Sequence, residues 1–335
     1  MFFRTKLIAT AALIALATPL HAEWVASWTA SPHAPLGTEG PFAAASYDNV
    51  TISQILRISE GGDEVRIRLS NRYGTAPLAI GAARLVQIDD AGQEIAATSR
   101  MMTFGGEPGA VIPRGSPFVS DAAKVNLPDL ARVKIELFLP SDTGPCTCHL
   151  TGLDELAVSP PGNHVGQPVE PVGRAQHRAF LSAVEVNSPD APGTIVAFGD
   201  SITDGVGSTP GANRRWPDIL AERLQAADLE WAVANAGISG NRVLSPGMGE
   251  AALARFDEDV LGAFEAVARE PLDVGRRFAR RKAGKAALDD ERGAFDDVQA
   301  GFEVVLDPDA FGIDDRAAAA PRDRIGDVGK AAAVG

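Results

Sequence analysis

The sequence predicts an α/β chain in two parts: a β-sandwich of jelly-roll type, then a doubly wound parallel domain that is left incomplete. Three observations predict it. Short segments between Glu23 and about Val186 alternate apolar and charged residues, which is the period of half-buried strands. After Gly193 the order becomes apolar strand, helix, strand, helix, the alternation that builds a parallel sheet. Beyond Leu261 that alternation stops.

Residues 1–22 form the first element. Arg4 and Lys6 supply a basic start, Leu7 to Ala17 an apolar run, and Pro19 a helix break before Leu20-His21-Ala22. That order is the pattern of a cleavable export signal. The apolar run is shorter than the roughly 20 residues that span a bilayer. The expectation is cleavage between Ala22 and Glu23, a secreted or periplasmic product, and no stable membrane insertion.

Residues 23–186 carry the β pattern. Val65-Arg66-Ile67-Arg68-Leu69 and Val133-Lys134-Ile135-Glu136-Leu137 alternate cleanly. Thr51 to Ile58, Leu78 to Ile88 and Gly109 to Ile112 are further strand candidates, separated by turns such as Glu60-Gly61-Gly62-Asp63 and Pro113-Arg114-Gly115. Many short strands without a helix read as a sandwich or jelly roll. Ser141 to Pro171, rich in Pro, Gly and polar residues, reads as long loops. The only cysteines, Cys146 and Cys148, flank one residue. A bridge there would close a very small loop and would not hold the fold together. Plain thiols, a redox-sensitive loop and a metal site with His149 are the alternatives, and two thiols with one histidine are a weak metal signal. No metal or other cofactor is expected.

Residues 187–193, Asn187-Ser188-Pro189-Asp190-Ala191-Pro192-Gly193, read as a linker. Residues 194–261 then give a strand at Thr194 to Phe198, a helix at Trp216 to Gln225 with Pro217 in its first turn, a strand at Trp231 to Ala234, and a helix at Glu250 to Leu261. Leu253, Phe256 and Val260 would share one face of the last. Residues 262–335 contain no Ser, Thr, Asn, His, Cys, Met, Tyr or Trp. Ala, Gly, Arg, Asp and Val dominate there, the composition that GC-rich DNA yields when read out of frame. A low-complexity tail is the alternative. The apolar run Phe302 to Leu306 comes too late to be the next central strand, so the tail is not expected to complete the sheet.

The chemistry concentrates on Gly199-Asp200-Ser201-Ile202-Thr203-Asp204-Gly205, directly after the first apolar strand. A serine on the turn leaving a buried strand is held rigidly among backbone N–H groups, as a nucleophile requires. Arg215-Trp216-Pro217 follows, then Asn235-Ala236-Gly237-Ile238-Ser239-Gly240-Asn241. From about Thr194 to Val260 this series resembles the SGNH, or GDSL, hydrolases. The N-terminal region is also similar to that of a two-domain subgroup, at Trp24 to Pro32, Ser70-Asn71-Arg72 and Cys146 to His149. The resemblance implies a flavodoxin-like fold for the second part. It implies that Ser201 is the nucleophile and that the backbone N–H groups of Ser201 and Gly240 are oxyanion donors. Asp200 and Asn241 would support them.

Two of the family's blocks have no counterpart. No Gly-x-Asn-Asp follows Val260, and no Asn occurs after Asn241. No Asp-x-x-His follows either. His33, His149, His164 and His177 all precede Ser201. His149 and His164, in the loop-rich stretch, are the candidates for a relocated base.

The net charge is −13. No Lys/Arg cluster interleaves with aromatics, and an acidic chain repels phosphate backbones. Nucleic acid is therefore not an expected partner, and the sequence sets no oligomeric state. The resemblance implies an exported esterase acting on short acyl esters, often acetyl groups on carbohydrates, through an acyl-enzyme on Ser201. The 335 residues as they stand lack the base and are expected to be inactive. A non-catalytic, exported carbohydrate-binding module is the alternative, and a working esterase with a relocated base is the third.

Overall fold

Strands form where apolar and charged residues alternate. The computed structural model describes residues 24–37 and 45–262. The expected signal 1–22, the tail beyond Gly262 and its apolar run 302–306 lie outside the described residues. The first strands are β1 (Trp24–Thr29), β2 (Val50–Arg57), β3 (Gly62–Ser70), β4 (Leu78–Ile80) and β5 (Ala82–Ile88). Then come β6 (Arg100–Met102), β7 (Ala110–Ile112), β8 (Pro117–Val119), β9 (Ala123–Leu127) and β10 (Arg132–Leu139). After these follow β11 (Cys148–His149), β12 (Leu156–Pro161), β13 (Gly173–Ala175), β14 (Arg178–Ala179) and β15 (Leu181–Asn187).

They assemble mainly into two antiparallel sheets. One runs β1-β15-β3-β8, with β9 also on β3; the other runs β13-β12-β2-β10-β5-β6. Side chains from both sheets meet in one core, including Ile67 and Val184 from the first and Leu56, Leu85 and Ile135 from the second. Each such burial stabilises by about 1.5–3 kcal/mol. The charged faces of the alternating strands are paired. Glu185 of β15 stands opposite Arg66 of β3 and accepts from Arg66 and Arg68. Glu136 of β10 stands opposite Arg84 of β5 at 3.0 Å.

Three expectations in this region change. The run Leu78 to Ile88 is two strands. Gly81 divides them, packed so closely on the Phe138 ring that a Cβ there would lie 2.6 Å from it, and β4 turns away to pair with β7. Ser141 to Pro171 is not all loop, because β12 adds to the edge of β2. Its partner, rather than its own alternation, makes it a strand. Cys146 and Cys148 are bonded to each other, with Cα atoms 5.4 Å apart. Ligand atoms of Cys146, Cys148 and His177 lie within 4.8 Å of one another, but the sulfurs are committed to the bridge.

The remaining elements are β16 (Thr194–Gly199), α1 (Ser201–Asp204), α2 (Trp216–Ala226), β17 (Ala232–Gly237) and α3 (Ala252–Phe256). β16 and β17 pair in parallel, Thr194 opposite Ala232 through Gly199 opposite Gly237. Both faces of the pair are covered, as the apolar runs require. Val196, Phe198, Ala234 and Ala236 pack with Ala26, Phe256 and Val260 on one side. Val233 and Ile195 pack with Leu220, Ala221 and Leu224 of α2 on the other. In the first turn of α2, the Asp218 carboxylate accepts from the Arg215 N–H (3.0 Å), and Pro217 needs no partner there.

β17 runs further than Trp231 to Ala234. Small residues with weak strand preference are carried into it by in-register pairing with β16. The last helix is shorter than expected. α3 stops at Phe256 and a wider turn follows over Asp257–Leu261. Phe256 and Val260 face inward, but Leu253 is 67% exposed. Arg255 occupies the inward position, and Leu253 is two residues, about 200°, away from it. Among the described residues no helix is long and apolar enough to cross a membrane.

Candidate functional site

Because β16 and β17 are in register, their carboxyl ends finish level. The chain leaves them side by side, as Asp200-Ser201 and as Ile238-Ser239-Gly240. Ligands of open parallel sheets bind at this edge.

Ser201 opens the one-turn helix α1. Asp200 precedes it, and its carboxylate accepts from the Ile202 N–H (3.0 Å). Gly205 closes the turn at φ 89°, and the N–H groups of Gly205 and Val206 both donate to the Ser201 carbonyl (3.0 Å each). Asn235 of β17 donates from Nδ2 to the Thr203 carbonyl (2.8 Å). Gly237 lets the turn sit directly on the strand, since a Cβ there would lie 2.3 Å from the Asp204 nitrogen. The turn around Ser201 is therefore held from both ends. The Ser201 hydroxyl and the backbone N–H groups of Ser201 and Gly240 are different: each is without a hydrogen-bond partner among the described residues. Gly240 has φ 70°, a left-handed conformation that glycine adopts without strain.

Asp204 links the turn to its surroundings. It is 2% exposed. Oδ2 accepts from the Ser239 N–H (2.7 Å), which fixes the residue before Gly240. Oδ1 lies 3.0 Å from Nε2 of His149, whose Nδ1 lies 2.9 Å from the Ser31 carbonyl. Both partners of the imidazole carry acceptor oxygens, the Asp204 carboxylate at Nε2 and the Ser31 carbonyl at Nδ1. Burial works to raise the Asp204 carboxyl, but His149, Thr151 and Arg215 together hold it below the usual carboxylate range.

Asn241 holds the Gly240 loop. Its Nδ2 donates to the carbonyls of Met248 (3.2 Å) and Glu250 (2.6 Å), and its Oδ1 accepts from Arg255 Nε (3.0 Å). Arg255 is 3% exposed and lies 4.2 Å over the Phe198 ring. It donates to carbonyls near the carboxyl ends of both strands, Gly199 (3.0 Å) and Ala236 (2.7 Å). Asp259 is its ion-pair partner at 2.7 Å.

None of the upstream histidines is hydrogen-bonded to Ser201 among the described residues. His149 is committed to Asp204 and Ser31. His164 Nε2 meets the Pro161 carbonyl (3.2 Å), and His177 meets Tyr47 Oη (2.6 Å). His33 Nδ1 meets the Ala34 carbonyl (2.9 Å), and burial lowers its pKa. Sequence reasoning missed Asp204 and Arg255. Asp204 lay inside the motif already singled out. Arg255 had a signal too, an arginine on an apolar helix face with an acid four residues on.

Among curated proteins none matches this chain. A solved structure that aligns with it is described as the structure of infectious bursal disease virus Gx strain. The two are 11% identical with a TM-score of 0.19, over 50% of this chain and 32% of that one. The match spans about a third of that structure's length and says nothing of fold. Residues 195–287 match the family model of GDSL-like lipases/acylhydrolases; Ser201, Asp204, Gly240 and Arg255 all lie in that stretch, which supports a hydrolase of the GDSL family.

Proposed function

We propose that residues 194–261 are the front half of an SGNH-type ester hydrolase with a flavodoxin-like sheet, joined through 187–193 to an N-terminal β-sandwich of residues 23–186. We take the chain to be exported, secreted or periplasmic, with 1–22 as its signal. Its substrates would be short acyl esters, acetylated carbohydrates among them. Ser201 Oγ would attack the ester carbonyl carbon. The N–H groups of Ser201 and Gly240 would receive the oxyanion, the alcohol would leave, and water would release the acyl group. The observation that carries this is the Ser201 hydroxyl, without a hydrogen-bond partner among the described residues, on the turn that leaves β16 level with the loop that carries Gly240 from β17.

A base must take the Ser201 proton, and no described histidine reaches it. General-base assistance is worth about 10²–10⁴-fold, and a missing oxyanion donor costs about 10²–10³-fold more. The 335-residue chain should therefore hydrolyse p-nitrophenyl acetate at background, equally with and without Ser201→Ala. Robust turnover abolished by that substitution would show that a base exists.

His149 is held by Asp204 and Ser31 rather than by Ser201, which favours a second, non-catalytic reading, taken as an exported carbohydrate-binding module. Saturable binding of an acetylated oligosaccharide without release of acetate supports it. Absence of binding removes it.

A further inference from the structure

Arg178 on β14 is 3% exposed, yet it makes no ion pair with a described carboxylate. Its Nη2 donates to the Gly152 carbonyl at 3.2 Å and its Nη1 to the Glu155 carbonyl at 3.5 Å, both long. Its Nε–H is buried with no partner. The other deeply buried arginines are compensated: Arg84 by Glu136 and Glu94, and Arg255 by Asp259. Asp154 is an opposite charge near Arg178 but forms no ion pair with it, and burying a guanidinium without a directly paired carboxylate is costly, as is an orphaned donor. Burial pushes Arg178 down to about 10, so it remains charged at neutral pH.

The side chain lines a cavity of about 30 Å³ together with Trp28, Arg57 and Arg215. That is room for one or two waters or a small ion. Two carboxylates also line it, Asp154 and Asp218, and both are turned to other work. Asp154 Oδ1 accepts from the Glu155 N–H (2.8 Å), and Asp218 Oδ2 accepts from the Arg215 N–H (3.0 Å). Arg57 is paired with Glu222 outside the cavity (2.7 Å). Among the described residues the Arg215 guanidinium donates to the carbonyls of Thr151 (2.6 Å) and Gly152 (2.8 Å).

We propose that this cavity binds a small monovalent anion, a halide or formate, against the guanidinium of Arg178. The site is separate from Ser201 and independent of any reaction there. It would join the 151–154 segment to the loop that follows α1. Arg215 already packs on that loop, since a Cβ at Gly205 would lie 2.4 Å from its Cγ.

The test uses the full chain at constant ionic strength, with gluconate replaced stepwise by bromide or by formate. The midpoint of thermal unfolding should climb by about 3 °C per tenfold of the small anion once the site fills. Sulfate, larger and divalent, should not reproduce the rise. Crystals grown in bromide should show an anomalous peak against Arg178. Formate should displace that peak if carboxylates share the site. Arg178→Gln should remove the anion dependence whatever its own stability. If that variant does not fold, Arg215→Gln should weaken the dependence about tenfold. No anion dependence in the wild type, a peak at crystal concentration only, a water in place of bromide, or dependence retained in Arg178→Gln would each overturn the proposal.

Discussion

Replacing Arg255 with methionine tests how the site is held. Methionine keeps the unbranched apolar stem of the side chain but removes the guanidinium, and with it the contact on Phe198 and every donor. Arg255 and Asp259 are 4% and 11% exposed, so the substitution strands a buried carboxylate. Breaking a buried pair on one side costs about 3–5 kcal/mol. The Gly199 carbonyl keeps a second donor, the Ile238 N–H (3.1 Å), so its loss adds little. An expected loss of about 4 kcal/mol is a large share of a domain's stability of roughly 5–15 kcal/mol. The loss should depend on pH. Burial already lifts the Asp259 carboxyl above its ordinary value of 3.8, with Arg255 opposing. Without Arg255 it rises further. A raised folded pKa stabilises below the unfolded value and is lost as pH rises, so the variant's deficit should shrink in acid. Urea unfolding at about pH 7 and about pH 5 measures both effects. Asp259→Asn in the same chain should recover much of the loss, because it removes the stranded charge. A loss under about 1 kcal/mol, or no recovery in the double variant, would refute the assignment of Arg255 as a buried clamp.

Gly237→Ala should cost about 1–3 kcal/mol, because its Cβ would meet backbone of Asp204 rather than a movable side chain; denaturant titration gives the value. Gly240→Ala should cost about 1–2 kcal/mol from its left-handed φ of 70°, with little added by contact, since the atoms it meets belong to the Met248 side chain and can move. Asp204→Asn should destabilise at neutral pH. The gap to wild type should close as pH falls through the lowered Asp204 pKa, because a depressed carboxyl stabilises only above it. Glu60 is pushed up to about 7 from 4.5 by burial first and Asp129 second. Its contribution is present below 4.5 and lost as pH rises to about 7, so Glu60→Gln should outlast wild type at about pH 8 and lose that advantage at about pH 5; melting curves at the two pH values decide it.

What was legible in the sequence was local. Val65 to Leu69 and Val133 to Leu137 announce themselves as strands by their own alternation. Ser201 announces itself because an apolar run and a glycine turn frame it. What was not legible depends on partners far along the chain. β12 is a strand because β2 offers it an edge. His149 becomes a partner of Asp204 only when β11 is brought beside α1, and nothing near either residue signals it. The same holds for Cys146 and Cys148, whose spacing allowed several states while the fold selects one. The expected helix face of Leu253, Phe256 and Val260 failed at one position because hydrophobicity alone ranks leucine above arginine. An arginine with strand-end carbonyls and an aspartate within reach is the better buried residue there.

The first strand has a long wait. Trp24 of β1 pairs with Asn187 of β15, the Ala26 N–H donates to Thr194 Oγ1 (2.9 Å) across 168 residues, and Thr29 Oγ1 donates to the Asn235 carbonyl (2.8 Å). Contacts of such sequence separation fold slowly, since the intervening loop must be closed before any of them forms. During synthesis β1 emerges early and meets its neighbours only after the whole β region and the start of the parallel pair have followed. Until then an apolar strand edge stands open to aggregation. A chaperone that keeps this chain productive has to cover Trp24–Thr29, and of two fragments split between β15 and β16 the second should need the first to fold, because the first holds β1, whose Ala26 and Thr29 contact Thr194 and Asn235.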